Sequence, residues 1–379
     1  MALQEPRLRL GIEEEYLLVD PASRALVRSP DPAFMPACRA ALGEQVTFEL
    51  LQAQVEVGTP ICADIAQARA ALSGLRRQVA EIAGGFGMGL LAASTHPFAR
   101  WDEQRPTEQE RYLTLTEDYQ VLARRQVVCG MHVHAEVEDQ ELRIDLMNQM
   151  TYFLPHLLAL SASSPFWRGQ DTGLKAMRPS VFDDLPRTGL PEPLAGWRDW
   201  EELTETLAQL GLCADATQIW WDIRPSARHP TLELRCPDVC TRLEDALAVA
   251  ALYQALLRCL WRLGRANLGW RRHRRILLAE NRWRAQRWGA AAELADLGAG
   301  RLKPMALLVE ELIELVRADA EALGTTEEVA HCRAIVAEGT SADRQLAVYR
   351  ERLAAGAGPT EAQQAVVDWL LKATLDGLD

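Results

Sequence analysis

The sequence predicts an α+β fold, with a strand-rich front half and a helical back half, built as one domain over residues 1–379. Three observations predict it. Short runs rich in Val, Ile, Leu and Thr, bounded by Gly and Pro, recur up to about residue 238. Apolar residues at helical spacing dominate from about Leu243 onward. The strands do not alternate regularly with crossover helices, which argues against a parallel α/β sheet. No repeat, low-complexity tract or linker divides the chain.

Taken in order, "LGIEEEYLLVD" (10–20) reads as a strand ended by Asp20-Pro21, although it carries three glutamates. On a strand Glu13 and Glu15 point one way and Glu14 the other. Adjacent carboxylates on one face repel unless that face is wet or holds a cation, and the spacing does not say which face is the buried one. A Pro-rich loop follows, then "QVTFELLQAQVEVGTP" as strand. The spacing predicts a helix from Ile65 to about Ala83, stopped at Gly84-Gly85, and a short buried strand in "MGLLAASTHPF". Residues 107–125 read as helix, "QVVCGMHVHAEVED" as strand, and Glu141–Ser161 as one helix. The stretch 163–193, rich in Gly, Pro, Arg and Asp, reads as a long loop of the kind that serves a site, and its length suggests a lid. "ATQIWWDIRPSARHPTLELRCPDV" supplies two further strands around a turn.

The formal net charge of −12 argues against general nucleic-acid binding. The segment 261–289 interleaves Trp with Arg, but in so acidic a chain its arginines are expected to meet small-molecule anions or neighbouring carboxylates. The first ten residues lack the apolar core of an export signal, and the eight cysteines include no CxxC pair, so reduced thiols and a cytoplasmic location are expected. Cys236 and Cys240 are expected to pack rather than bind metal. The apolar stretch 246–261, interrupted by Gln254 and Arg258, reads as a core helix too short to span a bilayer, and no membrane association is expected.

Charged and metal-capable side chains fall on four strand-like segments. Glu13 and Glu15 are the first pair. Glu49 and Glu56 are the second, but an odd separation sends them to opposite faces of a regular strand, so they share a site only through a bulge or break. His132 and His134 share a face in "GMHVHAEV"; an HxH pair suits zinc only with a third suitable ligand. Thr231, Glu233 and Arg235 line one face of "PTLELRCPDV". This carboxylate-rich set suits Mg2+ or Mn2+ better than zinc, and Mg2+ held by carboxylates points to a nucleotide polyphosphate. No GxxxxGK[ST] sequence occurs, so an ATP site here is not a P-loop.

The segments "GIEEEYLLVD", "ELLQAQVEVGTP", "CGMHVHAEVED", "DTGLKAMRPSVFDDLPRTGLP", "WWDIRPSARHPTLELRCPDV" and "ENRWRAQRWG", in this order, resemble the bacterial carboxylate–amine ligase family related to glutamate–cysteine ligase, within the glutamine synthetase-like superfamily. The resemblance implies an antiparallel sheet curved into a saddle, helices on its outer face, and ATP with several Mg2+ ions on the open face. It places metal ligands at Glu13, Glu15, Glu49, Glu56, His132 and Glu233, and sets Glu233 and Arg235 at the chemistry, with Arg235 near the phosphates. Arg178 matches a partner for the substrate carboxylate. Asn281 and Arg287, from a family motif, fall on the cofactor side without individual roles. The implied reaction is ATP-dependent amide formation through an acyl phosphate, joining a small-molecule acid to an amine. Glutamate–cysteine ligation is expected to be weak in this branch. A homodimer is a further expectation.

Other readings of the same residues are a kinase on the same fold, a zinc-dependent hydrolase using the HxH pair, and a metabolite-binding protein without catalysis. Each has a signature: phosphorylated product without amine, zinc dependence without ATP, or binding alone.

Overall fold

The computed structural model describes residues 4–378. The chain opens with β1 (Leu10–Val19), α1 (Phe34–Leu42), the hairpin β2 (Val46–Phe48) and β3 (Gln54–Gly58), α2 (Ile65–Gly85), β4 (Gly89–Leu91), α3 (Glu110–Tyr119), α4 (Val121–Arg124) and β5 (Met131–Glu136). There follow α5 (Gln140–Met150), α6 (Leu154–Ser161), the hairpin β6 (Phe166–Trp167) and β7 (Gln170–Asp171), and α7 (Arg178–Phe182). Next come β8 (Thr188–Gly189), α8 (Trp197–Gln209), β9 (Trp220–Trp221), β10 (Ile223–Pro225) and β11 (Thr231–Leu234). The back half is α9 (Leu243–Arg265), α10 (Arg275–Trp288), the hairpin β12 (Glu293–Asp296) and β13 (Arg301–Pro304), and α11 (Met305–Leu323), α12 (Thr326–Glu338), α13 (Ser341–Ala354) and α14 (Pro359–Leu375).

Seven strands make one antiparallel sheet in the order β10-β11-β5-β1-β3-β2, with β4 taking the edge of β1 beyond β5. β1 is long enough to pair with β3 along one side and with β5 and then β4 along the other. Its alternation decides the two faces. Leu10, Ile12, Glu14 and Tyr16 are buried, with Val55, Val57, Met131, Val133, Leu232 and Leu234 on the same side. α2 and α9 cover this side: Arg76 of α2 reaches Glu14, and the Tyr253 hydroxyl of α9 donates to the Leu232 carbonyl at 3.0 Å. α2 starts where Asp64 accepts from the Gln67 N–H, and buries Ile65, Ala68, Leu72, Leu75 and Val79 at helical spacing. Each large apolar side chain so buried contributes about 1.5–3 kcal/mol. One hydrophobic core runs from Leu8 to Leu370.

Several elements differ from the sequence reading. The helix expected over 107–125 is broken at Gln120, whose φ of 51° lies in the left-handed region. The helix expected over Glu141–Ser161 is two, because Pro155 has no N–H to continue the first and sits in the opening turn of α6. Residues 163–193 are not a plain loop: they hold β6, β7, α7 and β8, and Ala176, Arg178, Pro179 and Val181 are buried. α8 and the β12–β13 hairpin had no counterpart in that reading. α9 is longer than 246–261 and is apolar enough to cross a membrane by length and composition, but 83% of its most apolar window is buried inside the protein. It is a core helix.

Candidate active site

The polar side chains of the sheet collect on the face opposite α2 and α9. Cross-strand register brings them together: Glu13 lies opposite His132, Glu15 opposite Glu56, Glu233 opposite His134 and Arg224 opposite Glu233. They line a cleft of about 470 Å3 together with residues of α3 and α4 and of the segment 217–229, which includes β9 and β10. Glu14 is on the other side. Its carboxylate takes both ends of the Arg76 fork at 2.7 and 2.6 Å and the Tyr16 hydroxyl at 2.6 Å, with no exposed surface on either charged group. The middle glutamate is therefore a core residue and its neighbours are site residues.

Glu15, Glu49 and Glu56 form the first cluster, with one carboxylate oxygen from each within 4.8 Å of the others. Glu49 joins because the segment is a hairpin, not one strand: β2 ends at Phe48, and residues 49–53 turn before β3. That is the break the odd spacing required. Burial and the nearby Glu49 push the Glu15 carboxyl up to about 8. Burial, with Glu49, also raises Glu56 well above the carboxylate range. The Gly130 N–H to Glu15 at 2.7 Å and Thr47 Oγ1 to Glu56 at 3.1 Å do not offset this crowding.

Glu13, His134 and Glu233 form the second cluster, again within 4.8 Å. His132 stands between the clusters, its Nδ1 3.0 Å from Glu13 and its Nε2 3.8 Å from Glu15. The trio thus includes His134, the HxH partner that the resemblance did not select; the shared face of the pair was the signal for it. Burial opposes ionisation of Glu13, yet hydrogen bonds with His132 and His134 hold it well below the usual range. Burial and Arg235 push His132 down to about 4. Glu233 is 3% exposed and ion-paired to Arg224 at 2.9 Å and to Arg235, which outweigh burial and hold it low. Arg224, unremarked in the sequence, is held by the Thr217 and Ile219 carbonyls and so ties β10 to the residues before β9.

Arg178 lines the cleft at 5% exposure, and a Cβ on Gly130 would run into its guanidinium. Asn281 and Arg287 are not brought to the cleft. Asn281 is buried and exchanges hydrogen bonds with the Ala295 backbone, 2.9 and 2.7 Å, fastening α10 to β12. Arg287 bonds the Gly173 carbonyl on an exposed face. The motif reaches toward the site through Arg282 instead, which bonds Asp222 at 2.7 and 3.0 Å and Asp183 at 2.5 and 3.1 Å. Asp183 follows α7, which carries Arg178. The Asp222 carbonyl accepts from the Arg235 N–H at 2.8 Å. Arg282 thus fixes two of the cleft's arginines in relation to each other. Cys236 and Cys240 are buried and free, as packing residues are.

The residues fit a divalent cation on three grounds. The Glu15–Glu49–Glu56 cluster has more negative charge than its surroundings balance. The Nε2 atom of His132 is buried with no hydrogen-bond partner among the described residues, and His134 Nε2 faces Glu13 at 3.3 Å. The donor set is mainly oxygen, which suits Mg2+ or Mn2+. Arg39, Arg111 and Arg228, also lining the cleft, add positive charge of the kind that meets phosphates.

Comparison with known proteins gives the family and the fold. The profile of glutamate–cysteine ligase family 2 (GCS2) matches residues 9–366. A Rhodospirillum rubrum protein with the provisional name glutamate–cysteine ligase 2 is 54% identical over 377 residues, covering 98% of this chain and 97% of its own. A Paracoccus denitrificans protein with the same provisional name is 48% identical over 368 residues, covering 97% and 98%. Among solved structures, the bifunctional glutathione synthetase of Pasteurella multocida superimposes with a TM-score of 0.68 at 16% identity, over 97% of this chain and 53% of that longer one. The glutamate–cysteine ligase of Francisella tularensis in complex with AMP gives 0.64 at 12% identity, over 100% of this chain and 91% of that one. These two likenesses establish the fold.

Proposed function

The chain belongs to glutamate–cysteine ligase family 2, and on that premise we propose that it is an ATP-dependent carboxylate–amine ligase acting on small molecules. One observation carries the reading: a single open sheet face gathers Glu13, Glu15, Glu49, Glu56, Glu233 and two histidines, with arginines at its margins. A metabolite-binding protein has no need of such a concentration of carboxylates.

In the proposed reaction the acid's carboxylate oxygen forms a bond to the γ-phosphorus of ATP as the bond to ADP breaks. The amine nitrogen then attacks the acyl carbon, inorganic phosphate leaves, and the amine gives up a proton. Mg2+, held by Glu13, Glu15, Glu49, Glu56, Glu233 and the His132–His134 pair, would supply charge neutralisation for the polyphosphate. The chain's own residues do the positioning. Arg178 is a buried guanidinium free to take a carboxylate. Arg235, paired to Glu233, offers its remaining N–H groups to a phosphoryl oxygen. The burial of these two side chains strengthens such contacts relative to bulk water.

Phosphate release from ATP and Mg2+ against acids and amines, singly and in pairs, tests the proposal. Release that needs both partners supports it. A phosphorylated acid formed without an amine replaces it with the kinase reading, and zinc-dependent hydrolysis indifferent to ATP replaces it with the hydrolase reading.

A further inference from the structure

The Arg178 end of the cleft differs in chemistry from the carboxylate floor. Arg178 is 5% exposed and makes no ion pair among the described residues; its Nη atoms reach only the carbonyls of Arg235, Cys236 and Pro237, at 3.3–3.4 Å. Glu15, Asp183 and Asp238 feel its charge, but none pairs with it directly. A buried guanidinium left with long bonds to carbonyls keeps donors for an anion. Gln126, also 5% exposed, lines the cleft beside it. Its Nε2 donates to the Leu122 and Val181 carbonyls at 3.1 and 3.2 Å, which fixes the orientation of the amide. Its Oε1 is then a buried acceptor with no partner among the described residues. Val181 belongs to α7, the same short helix that carries Arg178, so the unmet cation and the unmet acceptor are tied to one element.

The wall next to them is aromatic. Phe182, under the Arg178 guanidinium at 5.6 Å, meets Trp220 edge to face at 6.4 Å, and Trp220 meets Tyr119 at 5.8 Å. Arg187 holds the wall in place, lying 5.6 Å over Trp220 and donating to the Tyr119 hydroxyl at 2.6 Å. Leu185 extends it.

We infer that this end of the cleft is a subsite for an α-amino acid with an aromatic or branched apolar side chain, the amine partner of the ligation. Its carboxylate meets Arg178, an N–H of its amine meets Gln126 Oε1, and its side chain covers Phe182 and Trp220. Accepting one N–H leaves the nitrogen lone pair available for attack. A side chain as small as that of cysteine covers little of this wall, and the second carboxylate of glutamate meets rings there. The binding claim stands by itself; the role as amine substrate rests on the ligase reading.

Calorimetric titration of the full chain with MgADP present tests the subsite, using L-phenylalanine, L-leucine, L-alanine, L-cysteine, L-glutamate and 3-phenylpropionate. L-phenylalanine or L-leucine is expected to bind at least about tenfold more tightly than L-alanine or L-cysteine, since a missing methylene in an apolar pocket costs about 10–200-fold. L-phenylalanine is expected to bind more tightly than 3-phenylpropionate in the unmodified protein, and Gln126→Met to abolish that preference. Tighter binding of cysteine than of L-phenylalanine and L-leucine, or no binding of either apolar amino acid, overturns the inference. The wild-type ligand series needs no variant to fold. Apolar amino-acid binding without ATP turnover keeps the subsite and removes the ligase reading; turnover restricted to cysteine keeps the ligase reading and removes the subsite.

Discussion

Glu13 and Glu15 lie two residues apart on one face of β1, and their surroundings drive them in opposite directions. Hydrogen bonds with His132 and His134 keep Glu13 ionised, whereas burial beside Glu49 lifts Glu15 to about 8. The strand delivers both carboxylates to the cleft, and the neighbouring strands decide what each is. A cation shared by the two clusters would remove the difference.

This relationship predicts how the metal-free protein responds to pH. The folded Glu15 pKa lies above its unfolded value, and Glu56 is raised in the same sense. Their contribution to stability is therefore complete below about 4.5 and is lost as pH rises toward 8. Thermal unfolding with EDTA should show a falling melting temperature across that window. Mg2+ or Mn2+ should restore more at pH 8 than at pH 5.5, and Glu15→Gln should flatten the metal-free profile. A metal effect that is the same at both pH values counts against the cluster as a cation site.

Glu14 and Arg76 predict a pure stability effect. Removing one partner of a fully buried pair leaves an uncompensated charge, at a cost of about 3–5 kcal/mol. Glu14→Gln should lower the denaturation midpoint accordingly, and Glu14→Leu combined with Arg76→Leu should cost less than the two single changes added together. Denaturant titration of the single and double variants reads this directly.

Arg282 is predicted to matter more than Asn281 or Arg287 for substrate affinity. Arg282→Lys keeps the charge but cannot bridge Asp183 and Asp222 through two forks, so α7 and the β9–β10 junction lose their common anchor. The variant should remain folded, raise the KM for the amino-acid substrate several-fold and leave the KM for ATP nearly unchanged. Arg287→Lys should change neither. Steady-state phosphate release separates the two.

His96 sets an acid limit. Burial pushes it down to about 4, and it is locked as a neutral ring: Nε2 meets the Arg24 carbonyl at 2.9 Å, while Nδ1 accepts the Phe98 and Ala99 N–H groups. With a folded pKa below the unfolded value of about 6.5, its contribution is present above 6.5 and lost as pH falls through 4. Replacing His96 with Gln should make the melting temperature less steep between pH 6.5 and 4.

The open face of the sheet was legible because strand parity is strict. Once β1 is a strand, Glu13 and Glu15 must share a side, as must His132 and His134, and Glu233 follows two residues before Arg235. Parity alone did not say which side was buried; Arg76, sixty-two residues further on, decides that by neutralising Glu14. Glu49 was ambiguous because a tight turn and a continued strand look alike in "FELLQAQVEV". The helical motif around Asn281 was read less well. Successive residues on a helix point about 100° apart, so Asn281, Arg282 and Arg287 face three directions, and the partners that single out Arg282 lie in distant segments. Pro155 was a visible signal for the break between α5 and α6, overridden by the apolar run around it.

The most direct test of the ligase account uses an acid labelled with 18O in its carboxylate, with whichever acid–amine pair drives phosphate release. Attack of the carboxylate on ATP predicts one labelled oxygen in each phosphate released and one left in the amide. Unlabelled phosphate, with both labelled oxygens left on carbon, would mean that the acid never bonded to phosphorus, and would contradict the account.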